Sequence, residues 1–134
     1  MQYMLLIYAE ERALTEAQRQ SCYEESTQFA HRLSDKGQFL AAAPLHPTST
    51  ATCVRVREGK PLVTDGPFAE TREQLGGFFL IDAANLDEAI EIASQLPAGR
   101  WGGVEIRPVV QISGLPASSF IRSVDFASSH STQR

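Results

Sequence analysis

Apolar residues run unbroken from Tyr3 to Tyr8 (YMLLIY) and stop at the charges of Glu10, Glu11 and Arg12. A short apolar run of this kind reads as a strand. Strand neighbours point to opposite faces, so Met4 and Leu6 lie on one side and Leu5 and Ile7 on the other. Both faces are apolar. From Thr15 the period changes. T-E-A-Q is a capping-box pattern with Thr15 as N-cap and Gln18 three residues on. Cys22, Ser26, Phe29 and Leu33 follow at helical spacing on one face, and Gly37 suits the residue after the helix. His31 falls on the opposite, solvent side of that stripe.

Residues 38–43 read as a second strand, broken by Pro44 and Pro47. Residues 50–57 alternate: Thr52, Val54 and Val56 face one way, Cys53, Arg55 and Arg57 the other. Glu58-Gly59 is a tight turn, and residues 60–64 return as the hairpin partner, with Pro61 suited to an edge. After a charged loop, FFLID (78–82) is a strand with apolar side chains on both faces. N-L-D-E at Asn85 opens a second helix, whose expected buried stripe is Leu86, Ala89, Ile92, Ala93 and Leu96. Pro97 and Gly99 end it. Residues 103–112 form the last expected strand, with Val104, Ile106, Val110 and Ile112 sharing a face and Glu105 and Arg107 the other.

The order β-α-β-(hairpin)-β-α-β predicts an α+β fold, a ferredoxin-like βαββαβ subunit with an inserted β-hairpin. Both helices then cover one face of an antiparallel sheet. YMLLIY and FFLI put apolar groups on the other face as well, and an apolar face of several hundred Å² is a liability in a monomer. A second copy on a two-fold axis covers it at least cost. The expectation is a homodimer packed sheet to sheet, with a small-ligand cleft between the sheets.

At 134 residues the chain is one domain of ordinary size. Residues 1–112 hold the patterned elements, and 113–134, rich in serine, read as a partly flexible C-terminal extension. With 43% hydrophobic and 21% charged residues a mainly disordered chain is excluded. A net charge of −4 argues against non-specific nucleic-acid binding. Cys22 and Cys53 fit no zinc spacing and read as reduced thiols. His31, His46 and His130 show no metal-binding spacing, and no glycine-rich phosphate loop occurs, so no metal or organic cofactor is expected. The N-terminal apolar run is too short for a signal or membrane span, which leads to the expectation of a cytoplasmic protein without membrane contact.

The stretch TDGPFAETREQLGGFF (64–79) does not read as scaffolding. Asp65 before Gly66-Pro67 can cap its own turn. It can equally sit at a strand end in a partly apolar cleft, beside Phe68, where burial raises a carboxyl pKa and suits it to general acid or base work. A third role is ligand binding without chemistry. Glu70, Arg72, Glu73 and Gln74 read as a solvated, salt-bridged loop. Arg55 and Arg107 are candidates for holding a carboxylate or phosphate in a forked geometry, or for outward pairing with acids such as Glu105. Tyr8 and His46 are candidate pocket liners.

YMLLIYAE, ATCVRVREGKPLVTDGPFAETREQLGGFFLIDA, LDEAIEIASQLP and VEIRPV occur in one order. Together they resemble the YCII-related proteins of the DGPF (DGPFAETKE) type over roughly residues 2–111. Asp65 through Thr71 and Glu73 match the naming motif, and Arg72 stands where it has Lys. The resemblance implies a dimeric α+β barrel of ferredoxin-like subunits. Smaller relatives are proposed enzymes that use a helix histidine and an aspartate. Ser26 stands at that histidine position here, on the buried stripe, which removes the imidazole and makes Ser26 a ligand-contact candidate. Some family members are encoded near alternative sigma factors, which implies a regulatory role.

Two functions follow as expectations. One is a cofactor-free small-molecule enzyme in which Asp65 moves a proton and Arg55 or Arg107 holds an anionic substrate group. The other is a non-catalytic module that binds a metabolite or meets a regulatory partner. A cofactor-free oxygenase is a third and lesser reading, since the chain shows no His or Asn suited to an activated substrate.

Overall fold

The apolar run at the N-terminus becomes the strand β1 (Gln2–Ala9), and its alternation decides the layering. In the computed structural model, which describes residues 1–116, Tyr3, Leu5 and Ile7 are buried, and Met4, Leu6 and Tyr8 are half-buried. The chain continues through α1 (Glu16–Asp35), β2 (Phe39–Pro44), β3 (Thr52–Arg57), β4 (Lys60–Asp65), β5 (Gln74–Asp82), α2 (Leu86–Ser94) and β6 (Gly102–Pro108). Short 3-10 turns occupy Glu11–Ala13, Thr48–Thr50 and Pro97–Trp101.

β2, β5, β1 and β6 form one antiparallel sheet in that order, and β3 and β4 form a separate two-stranded ribbon. This is the expected α+β subunit with its inserted hairpin. Phe29 and Leu33 of α1 and Ala89 and Ile92 of α2 pack on Tyr3, Leu5, Ile7, Phe79 and Ile81. The Phe79 ring lies 6.1 Å from Phe29 and 6.2 Å from Phe39, so three elements meet on one aromatic cluster. Leu5 and Ile81 are fully buried, each worth about 1.5–3 kcal/mol over exposure.

The helix start signals hold, with a full capping box at α1 and, at α2, only the Asn85 half of one, the Glu88 carboxylate accepting from the Ala84 N–H instead. The Thr15 Oγ1 accepts from the Gln18 N–H at 3.1 Å, and the Gln18 Oε1 accepts from the Thr15 N–H at 2.8 Å. Gly37 takes φ +72° after α1. The Asn85 Oδ1 caps α2 through the Glu88 N–H at 2.9 Å. Glu58 and Gly59 both have positive φ, as a two-residue hairpin turn requires.

Four expectations change. β3 starts at Thr52, because Thr48–Thr50 is a 3-10 turn. β5 begins at Gln74 instead of Phe78, so Gly76-Gly77 lie within the strand. A Cβ on Gly77 would stand 2.8 Å from the Ala43 carbonyl, and the glycine is what allows β2 this close. β6 stops at Pro108, which lacks the N–H to continue the ladder; Val110 and Ile112 lie beyond the strand and are exposed instead of sharing its face with the half-buried Val104 and Ile106. Leu86 is exposed at the first position of α2, and the buried stripe starts at Ala89. The expected C-terminal extension lies, from residue 117 on, outside the described residues. No helix among the described residues is long and apolar enough to cross a membrane.

Candidate functional site

α1 is 20 residues long, and its sheet-facing side changes character along its length. Phe29 and Leu33 pin the C-terminal half to the core. The N-terminal half offers Arg19, Cys22 and Ser26, of which only Cys22 is buried. Beneath it the sheet presents small residues, Ala42, Ala43, Gly76 and Gly77. Small groups on the floor and short or polar ones on the roof leave a gap. The result is a cleft of about 800 Å³ between α1 and the β2–β5 edge, within the range of small-molecule sites.

The inner walls are largely apolar, from Ile7, Phe39, Phe79 and Ala30. Polar groups gather toward the mouth: Glu11, Arg19, His31 and His46. Glu11 also organises the rim. Its carboxylate accepts from the Thr48 N–H at 3.3 Å and from the Thr48 hydroxyl at 2.5 Å. Its own N–H donates to the Gln74 Oε1 at 3.0 Å, and Arg19 donates to its carbonyl at 3.2 Å. The loop carrying His46 is thereby tied to the start of α1 and to β5. Burial, the largest influence, pushes the Cys22 thiol above its ordinary pKa; the neighbouring Ser26 hydroxyl and Arg100 oppose the shift less strongly. Arg100 is held against α1 by Glu25 at 2.7 Å.

Of the residues singled out in the sequence, Ser26 lines this cleft and His46 stands at its mouth. His31 is exposed, as its place on the helix predicts, yet it belongs to the same rim. Asp65, Arg55 and Phe68 lie elsewhere, on the hairpin and its following turn. There the Arg55 guanidinium sits 4.5 Å from the centre of the Phe68 ring. The Gly66 N–H donates to the Ala51 carbonyl at 2.7 Å, and the Cys53 thiol donates to the Gly66 carbonyl at 3.0 Å. Gly66 takes φ +95°, which a side chain would strain. Asp65 is exposed in this subunit.

Tyr8 and Arg107 lie on the sheet face away from the helices. Tyr8 follows Ile7, which points to the cleft, and Arg107 pairs with Glu105 at 3.3 Å. The structure thus separates three groups of candidates: the cleft, the hairpin turn and the open sheet face. The cleft expected between two sheets is not a feature of one subunit; the cleft that one subunit does form lies on the helix side. Glu11, Arg19 and Cys22 were not legible as site residues. Glu11 read only as the charge that ends a strand, and its role depends on a contact 37 residues away. Among the described residues no group of three or more His, Cys, Asp or Glu side chains is placed to hold a metal ion.

Comparison with known proteins supplies a family. The model of the YCII-related domain matches residues 1–113. An uncharacterised protein of Rhizobium meliloti (strain 1021) is 36% identical over 114 residues, covering 81% of this chain and 92% of its own. A solved structure of similar shape is the 5-chloro-2-hydroxyhydroquinone dehydrochlorinase of Burkholderia phenoliruptrix AC1100, in complex with 2,5-dihydroxybenzoquinone. It superposes with a TM-score of 0.51 at 14% identity, over 82% of this chain and 94% of that one. That likeness is one of fold. With a family model spanning nearly all of the described residues and a relative similar over most of its length, this chain belongs to the YCII-related family.

Proposed function

We propose that this protein is a cofactor-free small-molecule enzyme of proton-transfer type that works as a homodimer. The observation that carries the reading is the cleft under α1. It combines apolar walls for a small body with ionisable groups at the mouth. Arg19 offers a forked donor for an anionic substrate group. His31 and His46 offer imidazole side chains that can give or take a proton. In such a step one group takes a proton from a substrate carbon or hydroxyl, and a second returns one to the rearranged or departing atom. Isomerase, dehydratase or lyase chemistry all fit that balance. A structural neighbour that acts on a small oxygenated ring and is complexed with another supports a ligand of this size.

Asp65 is the proposed general acid or base, Arg55 and Phe68, paired on the same hairpin, are proposed ligand contacts, and Ser26 contacts the ligand from α1. Tyr8 and Arg107 belong to the sheet face that the second copy is proposed to cover. Two free, buried thiols support a reducing, cytoplasmic location. The DGPF motif supports membership of that branch of the family.

The experiment is NMR screening with small aromatic carboxylates and phenols. Expected are shifts at Ser26, His31 and His46. Ligands that bind only outside the cleft would refute the reading. The exposed position of Asp65 in its own subunit favours a second reading, a ligand-binding module that senses a metabolite. In that case Asp65→Asn leaves affinity unchanged and no turnover is found with any ligand that binds.

A further inference from the structure

The hairpin is the least supported part of the subunit. Every residue of β4 is exposed, and β3 buries only Cys53. An isolated two-stranded ribbon is marginal in water, so its exposed state asks for a partner.

The pairing register sorts its side chains cleanly. Val54 pairs with Val63, Val56 with Pro61 and Thr52 with Asp65, all on one face. Cys53 with Thr64, Arg55 with Leu62, and Arg57 with Lys60 occupy the other. One face is thus apolar along its outer length, and the other is basic. The apolar face is open: Val54, Val56 and Val63 are 54%, 67% and 62% exposed. With Pro61 they present on the order of 400 Å², about half of what each partner contributes to a standard stable interface.

We infer that this hairpin is an intersubunit arm and that its apolar face packs on a second copy of this chain. The inference deepens the proposed homodimer by adding a second contact region to the sheet faces. The area argues for it, because the arm supplies roughly half an interface and the sheet face carrying Met4, Leu6 and Tyr8 can supply the rest. In a two-fold dimer each copy gives one arm and receives one.

The consequence for the site comes from the register. Asp65 stands on the apolar face, at its base. Its turn is bonded to the arm through Ala51 and Cys53. Docking the arm thus carries Asp65 into contact with the second copy instead of into its own cleft. Asp65 then acts in a site that two chains build together.

The test is amide hydrogen exchange on the full chain over a protein concentration series, beside sedimentation velocity. Expected is protection of the outward amides of β3 and β4 in the dimer, lost at least tenfold at concentrations where sedimentation shows monomer. In the Val54→Asp, Val63→Asp double variant the dissociation constant rises at least tenfold with an unchanged circular dichroism spectrum. Protection independent of concentration would assign the cover to the chain itself and overturn the arm. A folded double variant as dimeric as the parent would overturn the arm but leave the sheet-to-sheet dimer standing. A parent that is monomeric at all concentrations would overturn both. Should the double variant fail to fold, exchange on the parent decides alone. Ligand binding in the cleft is measured separately, so its failure does not bear on the arm.

Discussion

The Thr48 hydroxyl donates to the Glu11 carboxylate at 2.5 Å, tying the His46 loop to the segment that leads into α1 at the mouth of the cleft. The Thr48 N–H adds two longer bonds to the same group. A carboxylate at the start of a 3-10 turn satisfies donors that the turn leaves open. Glu11→Ala is expected to cost about 1–3 kcal/mol, the range for stranding half-buried polar partners. Glu11→Gln, which keeps one acceptor, should cost less. Urea unfolding of the three proteins checks the order, and equal midpoints would remove Glu11 from this role.

Cys22 makes stability depend on alkaline pH. Its thiol is raised by burial in the folded state, so the unfolded thiol ionises first. Between the two values the unfolded chain holds fewer protons, and ∂ΔG/∂pH is negative. Stability from this group is fully present below about pH 8.5 and is lost as pH rises through the folded value. Melting temperature should therefore fall above that pH, and less so in Cys22→Ala. The buried thiol should also react slowly with iodoacetamide at neutral pH.

Gly102 is where β6 meets the end of β1. A Cβ there would stand 2.0 Å from the Tyr8 carbonyl and 2.8 Å from the Ala9 Cα. Both obstacles are backbone and cannot rotate away. Gly102→Ala should cost at least about 3 kcal/mol, the upper end for overpacking. Gly103→Ala, next door with open space around it, is the control and should be nearly neutral.

Ser26→Phe fills the cleft from α1. The side chain is half-buried and faces existing space, so the fold should survive with a stability change within about 1 kcal/mol. Small-molecule binding should fall at least tenfold by NMR titration. Binding that persists at parental affinity would move the ligand out of this cleft.

Asp65→Asn separates structure from chemistry. The carboxylate is exposed in the subunit, and the turn is held by Gly66 and Cys53. Subunit stability should change by no more than about 0.5 kcal/mol. Turnover, once a substrate is found, should be abolished. A variant as active as the parent would remove Asp65 from catalysis.

The pattern of the chain carried far because its signals are local. Thr15 and Gln18, three residues apart, announce the start of α1, and Glu58-Gly59 announces the hairpin. Both rest on backbone geometry that neighbouring residues decide. Alternation in YMLLIY placed Leu5 and Ile7 together on one face, and the structure buries them. The misreadings are equally specific. Val110 and Ile112 keep the alternation of β6, but Pro108 cannot supply the ladder hydrogen bond, and periodicity does not register that loss. Gly76-Gly77 looked like the end of a loop because nothing local reveals Ala43 passing 2.8 Å from the missing Cβ.

By itself the sequence determined the α+β order of elements, the caps, the hairpin, the family and the small set of unusual residues around Asp65. These follow from contacts within one or two turns of chain and from a motif long enough to be specific. Only the tertiary structure decided which of those residues meet. It brought Glu11 to Thr48, set Ser26, His31 and His46 around one cleft, and left Asp65 outside it on an exposed arm. Such groupings depend on where α1 rides over the β2–β5 edge and on how closely strands approach at Gly77 and Gly102. Long-range packing sets those distances, and no spacing along the chain encodes them.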